Sequence, residues 1–370
     1  MLKVFEAFAG YGSQRLALKK LKIPHKVVGI SEIEGDVLLS YAAIHENLLE
    51  KRDIDLTISD DEMREYLESI NVPLDYKTFE NRAKKLRGQK LKDMYIANKL
   101  NKNFGDIRTI DPEILPDFDF FTYSFPCQDI SVAGYQNGLN ANSGTRSSLL
   151  WECCKIIEYK KPKYLMMENV KNLVGKNHKE NFEEFLSYLK SLGYTNYWDV
   201  LNARNYGIPQ NRERVFCISI LNPEKEFAFP KSRNLTVFMN DLLEKNVPEK
   251  FYLNNNQVSD VPIIQDYIYC LDSNYWKGTF LKDFLTKKRR QLVSGPVRED
   301  GKYPARRLTP RETWRFMGVD DENFEKASVL VSNTSLYKQS GNSIVVSVLE
   351  AIFTKLFIEQ PQEVVTNGEK

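Results

Sequence analysis

Histidine is scarce in this chain, and metal-ligand spacing is missing altogether. The 370 residues include three His, at 25, 45 and 178, with no H-x-x-x-H or H-x-E pattern. A metal centre or a Ser-His-Asp triad therefore has few parts to draw on, and no bound metal is expected. Five Cys, at 127, 153, 154, 217 and 270, form an odd set without a C-x-x-C pair, which argues against a disulfide framework and a thiolate zinc site. Any special Cys must act as a thiol, and acid–base work falls to carboxylates, thiols or a cofactor. No apolar run approaches the roughly 18 residues that span a bilayer, and the opening MLKVFEAFAG lacks the charged, apolar, small-residue order of a leader. The expectation is a cytoplasmic protein with no membrane contact. A surplus of one charge sign is also absent, since 52 Lys and Arg meet 50 Asp and Glu.

What is present is a chain long and apolar enough, at 42% hydrophobic, to bury a sizeable core as two domains or as one domain with an inserted module. Lys3 to Phe8 reads as a strand, Ser13 to Leu21 as a helix and Lys26 to Ser31 as a second strand, the alternation of a parallel sheet covered by helices. Short apolar runs at Phe118 to Ser124, Tyr164 to Met167, Trp198 to Leu201 and Arg214 to Ile220 supply further buried strands. Residues 46–104 are charge-rich, with helical spacing in Asp60 to Ile70 and Phe79 to Leu100, and read as a solvated helical decoration. Residues 222–305 break the alternation with six prolines and interleaved aromatic and basic residues, so a second domain is expected to start near 222. An apolar helix from Ser343 to Phe357 is expected to return to the first domain. Between 281 and 315 eleven Lys and Arg stand against four Asp and Glu, a local excess that suits nucleic acid.

Several strand ends carry chemistry. Phe8-Ala9-Gly10-Tyr11-Gly12 opens the first helix. Its glycines suit either close approach of a nucleotide-like ligand or an ordinary turn, and Arg15 stands where a dinucleotide fingerprint has its third Gly. Glu32, at the tip of the next strand, is where sheets of this kind hold ribose hydroxyls, and Asp106 suits an adenine amino group. In FDFFTYSFPCQDIS the strand runs straight into Cys127, with Pro126 fixing the turn and Gly134, Gly138 and Gly144 marking a lid after it. A Cys is otherwise most often buried filler. Glu168 follows the strand YLMM and is either a helix cap or a desolvated acid able to donate a proton. Arg212 and Arg214, two apart, point together at a phosphate, a base oxygen or an internal carboxylate.

FAGYG, SFPCQ, ENV, QNRER, RLTPRE (Arg307 to Glu312) and GNS (Gly341 to Ser343) occur in the order, and at roughly the spacing, of the conserved blocks of the DNA cytosine-5 methyltransferases. The chain resembles the bacterial restriction-modification members of that family over nearly its whole length, leaving out mainly 46–104 and 222–305. The resemblance implies an α/β fold: a Rossmann-like S-adenosylmethionine-dependent methyltransferase domain with a smaller target-recognition domain. Residues 1–221 would be catalytic, with 46–104 as a helical insertion, 222–305 would recognise the target, and 306–370 would return to the catalytic domain.

By motif match, Phe8, Gly10, Gly12, Glu32, Ile33, Asp106 and Asn342 would hold S-adenosylmethionine and its product S-adenosylhomocysteine, with Ile33 against the adenine face. Cys127 would be the nucleophile, Glu168 would contact the target ring, and Arg214 with Arg212 would secure the base or the catalytic loop. The target base would be flipped out of double-stranded DNA. Gln136 and Arg146 of the lid, and Lys287, Lys288, Arg289 and Arg290, would meet the DNA. Half of the aromatics near them (Tyr267, Tyr269, Tyr275, Trp276) are expected to be core. The resemblance further implies a monomer, and a cognate restriction endonuclease that shares the target sequence without binding the chain. A tRNA cytosine-5 methyltransferase and a catalytically silent DNA-binding protein are the alternatives.

Overall fold

Apolar runs of four to nine residues pair into one six-stranded sheet. The computed structural model describes residues 1–53, 57–75, 78–126, 149–254 and 256–359. In chain order the first elements are β1 (Leu2–Ala7), α1 (Ser13–Lys20), β2 (His25–Ser31), α2 (Gly35–His45), α3 (Leu48–Lys51), α4 (Asp60–Ser69), α5 (Gly88–Asn101), β3 (Phe120–Tyr123), α6 (Leu149–Lys160), β4 (Tyr164–Val170), α7 (Lys179–Ser191), β5 (Tyr194–Asn202), β6 (Gln210–Asn211) and β7 (Glu213–Leu221). Then follow β8 (Val258–Ser259), β9 (Ile268–Tyr269), α8 (Leu281–Lys287), β10 (Leu292–Ser294), β11 (Tyr303–Arg307), α9 (Pro310–Arg315), α10 (Asp321–Ser328), α11 (Asn333–Asn342) and α12 (Val346–Phe353).

The chain divides into two compact units. The first holds Met1–Leu201, Glu213–Pro230 and the chain from Leu349 onward. Its sheet has the order β2-β1-β3-β4-β7-β5. β1 is parallel to β2 and β3, and β3 is parallel to β4, while β7 runs antiparallel to β4. Phe120 to Tyr123 are buried without interruption, as expected of a strand covered on both faces. On one face Phe5, Phe118 and Phe121 cluster, with Phe5 and Phe118 ring centroids 5.2 Å apart. Burying each such ring contributes about 2–3 kcal/mol relative to exposure. On the other face the rings of Phe353 and Phe357 meet Phe120 at 5.6 and 5.2 Å. Against the expectation that no apolar run approaches a membrane span, the helical run Asn333–Glu359 is long and apolar enough to cross a membrane by length and composition. In the first unit its aromatic side chains cover the sheet.

The second unit holds Asn202–Arg212 and Lys231–Val348. A three-stranded sheet, β10-β11-β8, and a parallel pair, β6 with β9, frame a core of Met239, Phe251, Ile268, Leu271, Tyr275, Val293, Leu308, Phe316 and Tyr337. Buried Arg306 meets both oxygens of buried Glu312 at 2.9 and 2.8 Å, and Glu312 also accepts from Thr309 N at the start of α9. The RLTPRE block is thus the seam that joins sheet and helices in this unit.

Three expectations are corrected. The second unit is not 222–305 with a return at 306. Residues 202–212 join it because the Gln210 side chain bonds Phe316 O and Leu271 N, residues 222–230 stay behind because Phe227 packs on Tyr197, and the return comes at 349. The helix expected over Phe79 to Leu100 begins only at Gly88, because Arg87 is extended and a short 3₁₀ turn at Ala83–Lys85, with Ala83 N bonded to Asn81 Oδ1 at 2.8 Å, precedes it. Nor are residues 46–104 a solvated decoration. Met63, Leu67, Leu91, Met94 and Ala97 are buried, and Leu74 N bonds Ile33 O at 2.9 Å beside the predicted site.

Candidate active site

Parallel pairing brings the carboxyl ends of β1, β2, β3 and β4 to one edge of the sheet, and antiparallel β7 adds its amino end there. The chain goes to β2 on one side of β1 and later to β3 on the other, so the strand order reverses at this edge, the usual ligand crevice of an open α/β sheet.

The turn after β1 is held in unusual backbone. Phe8 has φ 54, Gly10 φ 57 and Gly12 φ 82. A Cβ on Gly12 would lie 2.3 Å from His45 Nε2 and 2.8 Å from the Tyr41 ring, so only glycine fits. His45 donates from Nε2 to Tyr11 O at 3.0 Å, and its Nδ1 meets Lys19 Nζ at 3.2 Å, so the buried ring props the turn in its neutral form. At Gly10, by contrast, an added Cβ would meet nothing within 4 Å among the described residues, which leave space beside it. Arg15, in place of a third glycine, pairs with Glu46 and ties α1 to α2.

Glu32 reaches back to this turn. Its carboxylate accepts from Gly10 N at 3.0 Å, Ile33 N at 2.8 Å and Glu34 N at 3.0 Å. Burial and the neighbouring Glu34 push the carboxyl up to about 7 against the lowering pull of those donors. Asn103 fixes the loop, accepting from Glu32 N at 3.1 Å and donating to Glu32 O at 2.9 Å. Asp106 is buried, and Arg108 Nε meets both its oxygens at 3.0 Å, so the carboxylate expected to receive an adenine amino group is engaged by a guanidinium here.

Beneath the turn, fully buried Glu6 accepts from Tyr41 OH at 2.7 Å while its Oε1 has no partner among the described residues. Burial raises this carboxyl to about 7, against the lowering effects of Tyr41 and Arg15. Between its unfolded pKa near 4.5 and about 7 the folded state holds the extra proton, so stability falls as pH rises through that window, by on the order of 3 kcal/mol. Glu6→Gln, a neutral isostere, is expected to gain melting temperature relative to wild type progressively from pH 5 to pH 8. A constant difference over that range would show that the carboxyl is not raised.

Glu168 sits near the end of β4, buried, with Oε1 3.3 Å from Arg214 Nε on β7. The Arg214 guanidinium thus faces an internal carboxylate, one of the partners expected for it. Next to it Asn169 donates to Phe125 O at 3.0 Å and so anchors the segment leading out of β3. Cys127, Gln136 and Arg146 lie outside the described residues.

The expectation that Arg212 and Arg214 point together is not met. Arg212 belongs to the second unit, where its buried guanidinium donates to Leu271 O, Gly341 O and Ser343 O at 2.7, 3.0 and 2.8 Å. It clasps the GNS block, in which a Cβ on Gly341 would strike the backbone of Asp272 at 2.3 Å. Asn342, exposed at the end of α11, is also in the second unit. The run Lys287 to Arg290 is not a uniform basic strip. Lys287 faces Asp283 at 3.1 Å and Arg289 faces Asp272 at 3.7 Å, Lys288 is exposed, and Arg290 turns inward to Gly278 O at 2.8 Å. Of the nearby aromatics, Tyr275 is core and Tyr269 packs on Phe284, while Trp276 is 38% exposed.

A family model for the C-5 cytosine-specific DNA methylases matches residues 58–358. The chain belongs to the C-5 cytosine-specific DNA methylases. It transfers a methyl group to C5 of cytosine in DNA, and the tRNA and silent-binder alternatives give way to that activity. The methylase is 82% identical over 360 residues to the Type II methyltransferase M2.ScrFI of Lactococcus lactis subsp. cremoris, covering 97% of this chain and all of that one. It is 35% identical to the orphan methyltransferase M.SssI of Spiroplasma monobiae, covering 96% and 97% of the two chains. In fold it is similar to the S. pombe Dnmt2 methyltransferase, with a TM-score of 0.64 at 18% identity over 96% of this chain and 97% of that one.

Proposed function

We propose that the methylase acts on a flipped-out cytosine within a specific sequence of double-stranded DNA, with Cys127 as nucleophile and S-adenosylmethionine as methyl donor. The observation that carries this reading is the gathering of the FAGYG turn, Glu32, the segment leading to Cys127, and Glu168 at one sheet edge.

The residues fit the donor. Gly10 leaves open space beside a backbone that already turns on positive φ, and the Glu32 carboxylate lies against it, suited to ribose hydroxyls. Ile33 would lie against the adenine face, and Phe8, Asp106 and Asn342 complete the proposed set. When bound, S-adenosylmethionine supplies an electrophilic methyl group. The residues of the chain supply the rest. Cytosine C5 is a poor nucleophile until a thiolate adds at C6, and the Cys127 thiolate makes that bond. Glu168 donates a proton or a strong hydrogen bond to N3, which lets the ring accept the electrons. Arg214, beside Glu168, holds its carboxyl in place, and Arg212 acts at a distance as the clasp of the second unit. After methylation a solvent water takes the C5 proton, the electrons of that C–H bond re-form the C5–C6 double bond, the C6–S bond breaks to release Cys127 as thiolate, and N3 returns its proton to Glu168.

The lid carrying Gln136 and Arg146 would close over the base, and the second unit, including Lys287 to Arg290, would meet the duplex. Similarity to a Type II methyltransferase supports a restriction-modification role. We further propose that the methylase works in the cytoplasm as a monomer, beside an endonuclease of the same target. Bisulfite sequencing of DNA from cells expressing the chain tests this. Protected cytosines confined to one short sequence are expected, and none above background would overturn it.

A further inference from the structure

We propose that a basic cavity in the second unit is a binding site for a backbone phosphate of the DNA substrate, distinct from any surface that reads bases. The cavity measures about 440 Å³ and is lined by cations from four separate segments: Lys250, Lys277, Arg290 and Arg307. Its one carboxylate, Asp283, lies 3.1 Å from Lys287 Nζ. None of the four cations has a carboxylate partner among the described residues. Four like charges drawn around a hollow repel one another, and an anion between them removes that cost.

The two arginines also build the cavity. Arg307 donates to Trp276 O and Lys250 O at 3.4 Å each, bracing the two lysine-bearing turns around it. Arg290 donates from Nη1 to Gly278 O at 2.8 Å, while its buried Nε has no partner among the described groups. The lysines are free of such duties: Lys250 Nζ lies 5.3 Å from the Phe251 ring centroid and Lys277 Nζ 5.6 Å from that of Trp276. An oxyanion fits this arrangement, and Phe280, 65% exposed beside the cations, offers an apolar surface to a sugar. The choice of a DNA phosphodiester over free phosphate rests on the proposed duplex substrate.

The test uses the full chain and a Lys250→Gln, Lys277→Gln double variant, since neither ammonium braces the fold. Fluorescence anisotropy with a target and a non-target duplex is read across a salt series. The expected result is about tenfold weaker binding to both duplexes and a salt slope shallower by about one, the signature of one lost phosphate contact. Melting temperature and S-adenosylmethionine affinity should stay at wild type, as should DNA binding by a Lys190→Gln control on the first unit. An unchanged slope, with wild-type DNA binding intact, would overturn the cavity assignment and leave the proposed substrate standing. Stabilisation of wild type but not of the double variant by millimolar inorganic phosphate, with equal DNA affinities, would make it a free-phosphate site and overturn it also. Failure of the wild type to bind duplex DNA at all would sink the substrate reading together with the cavity.

Discussion

Cys127→Ser is expected to lower methyl transfer by on the order of 10⁴-fold or more, with S-adenosylmethionine binding, duplex binding and melting temperature unchanged. The reason is chemical. A thiol yields a useful fraction of thiolate near neutral pH, whereas a serine hydroxyl does not ionise there without a strong neighbouring base. Two of the three histidines are already engaged elsewhere: His45 with Tyr11 O and Lys19, and His25 with Ile23 O. His178 lies at the start of α7. Three of the other four thiols are poor substitutes. Cys153, Cys154 and Cys217 are buried, and burial pushes each of them up, away from ionisation. Single-turnover transfer to a target duplex checks the prediction, and a Ser variant within tenfold of wild type would remove Cys127 from the reaction.

Glu168→Gln is expected to reduce kcat by about 10²–10⁴-fold, the range for loss of a positioned acid. The amide oxygen can still face Arg214 Nε, so the ion-pair geometry at 3.3 Å becomes a neutral hydrogen bond and the strand pairing stays intact. An amide can donate a hydrogen bond to N3 but cannot deliver a proton, so the loss should fall on kcat with little change in KM for DNA. A variant with wild-type kcat would leave Glu168 as a partner of Arg214 and nothing more.

The strand ends were legible because buried parallel strands are short apolar runs, and whatever follows them must emerge at the ligand edge. The glycine turn, Glu32 and Glu168 accordingly lie at strand ends that the sheet order brings to one edge. The residues that hold those groups were not legible. His45 props a turn 34 residues earlier, Asn103 grips Glu32 from 71 residues on, and Asn169 bonds Phe125 across 44 residues. Each is an ordinary polar residue whose partner is set by sheet order. Asn103 also shows why the charged 46–104 stretch was misread: its polar residues face the site's loops, and composition does not reveal direction. The pair Arg212 and Arg214 failed for a local reason. The period-two rule needs a continuous strand, and Arg212 falls between β6 and β7, where its own N–H turns to Asn202 Oδ1 at 3.2 Å.

The most direct measurement is mass spectrometry of the protein after incubation with S-adenosylmethionine and a duplex bearing 5-fluorocytosine in the sequence found by bisulfite mapping. Fluorine at C5 leaves no proton to depart, so the C6 adduct cannot collapse and the enzyme stays bonded to DNA. The expected result is one digested peptide carrying the nucleotide on Cys127. Absence of any adduct while the unmodified duplex is methylated, or an adduct on a different residue, would contradict thiolate addition by Cys127.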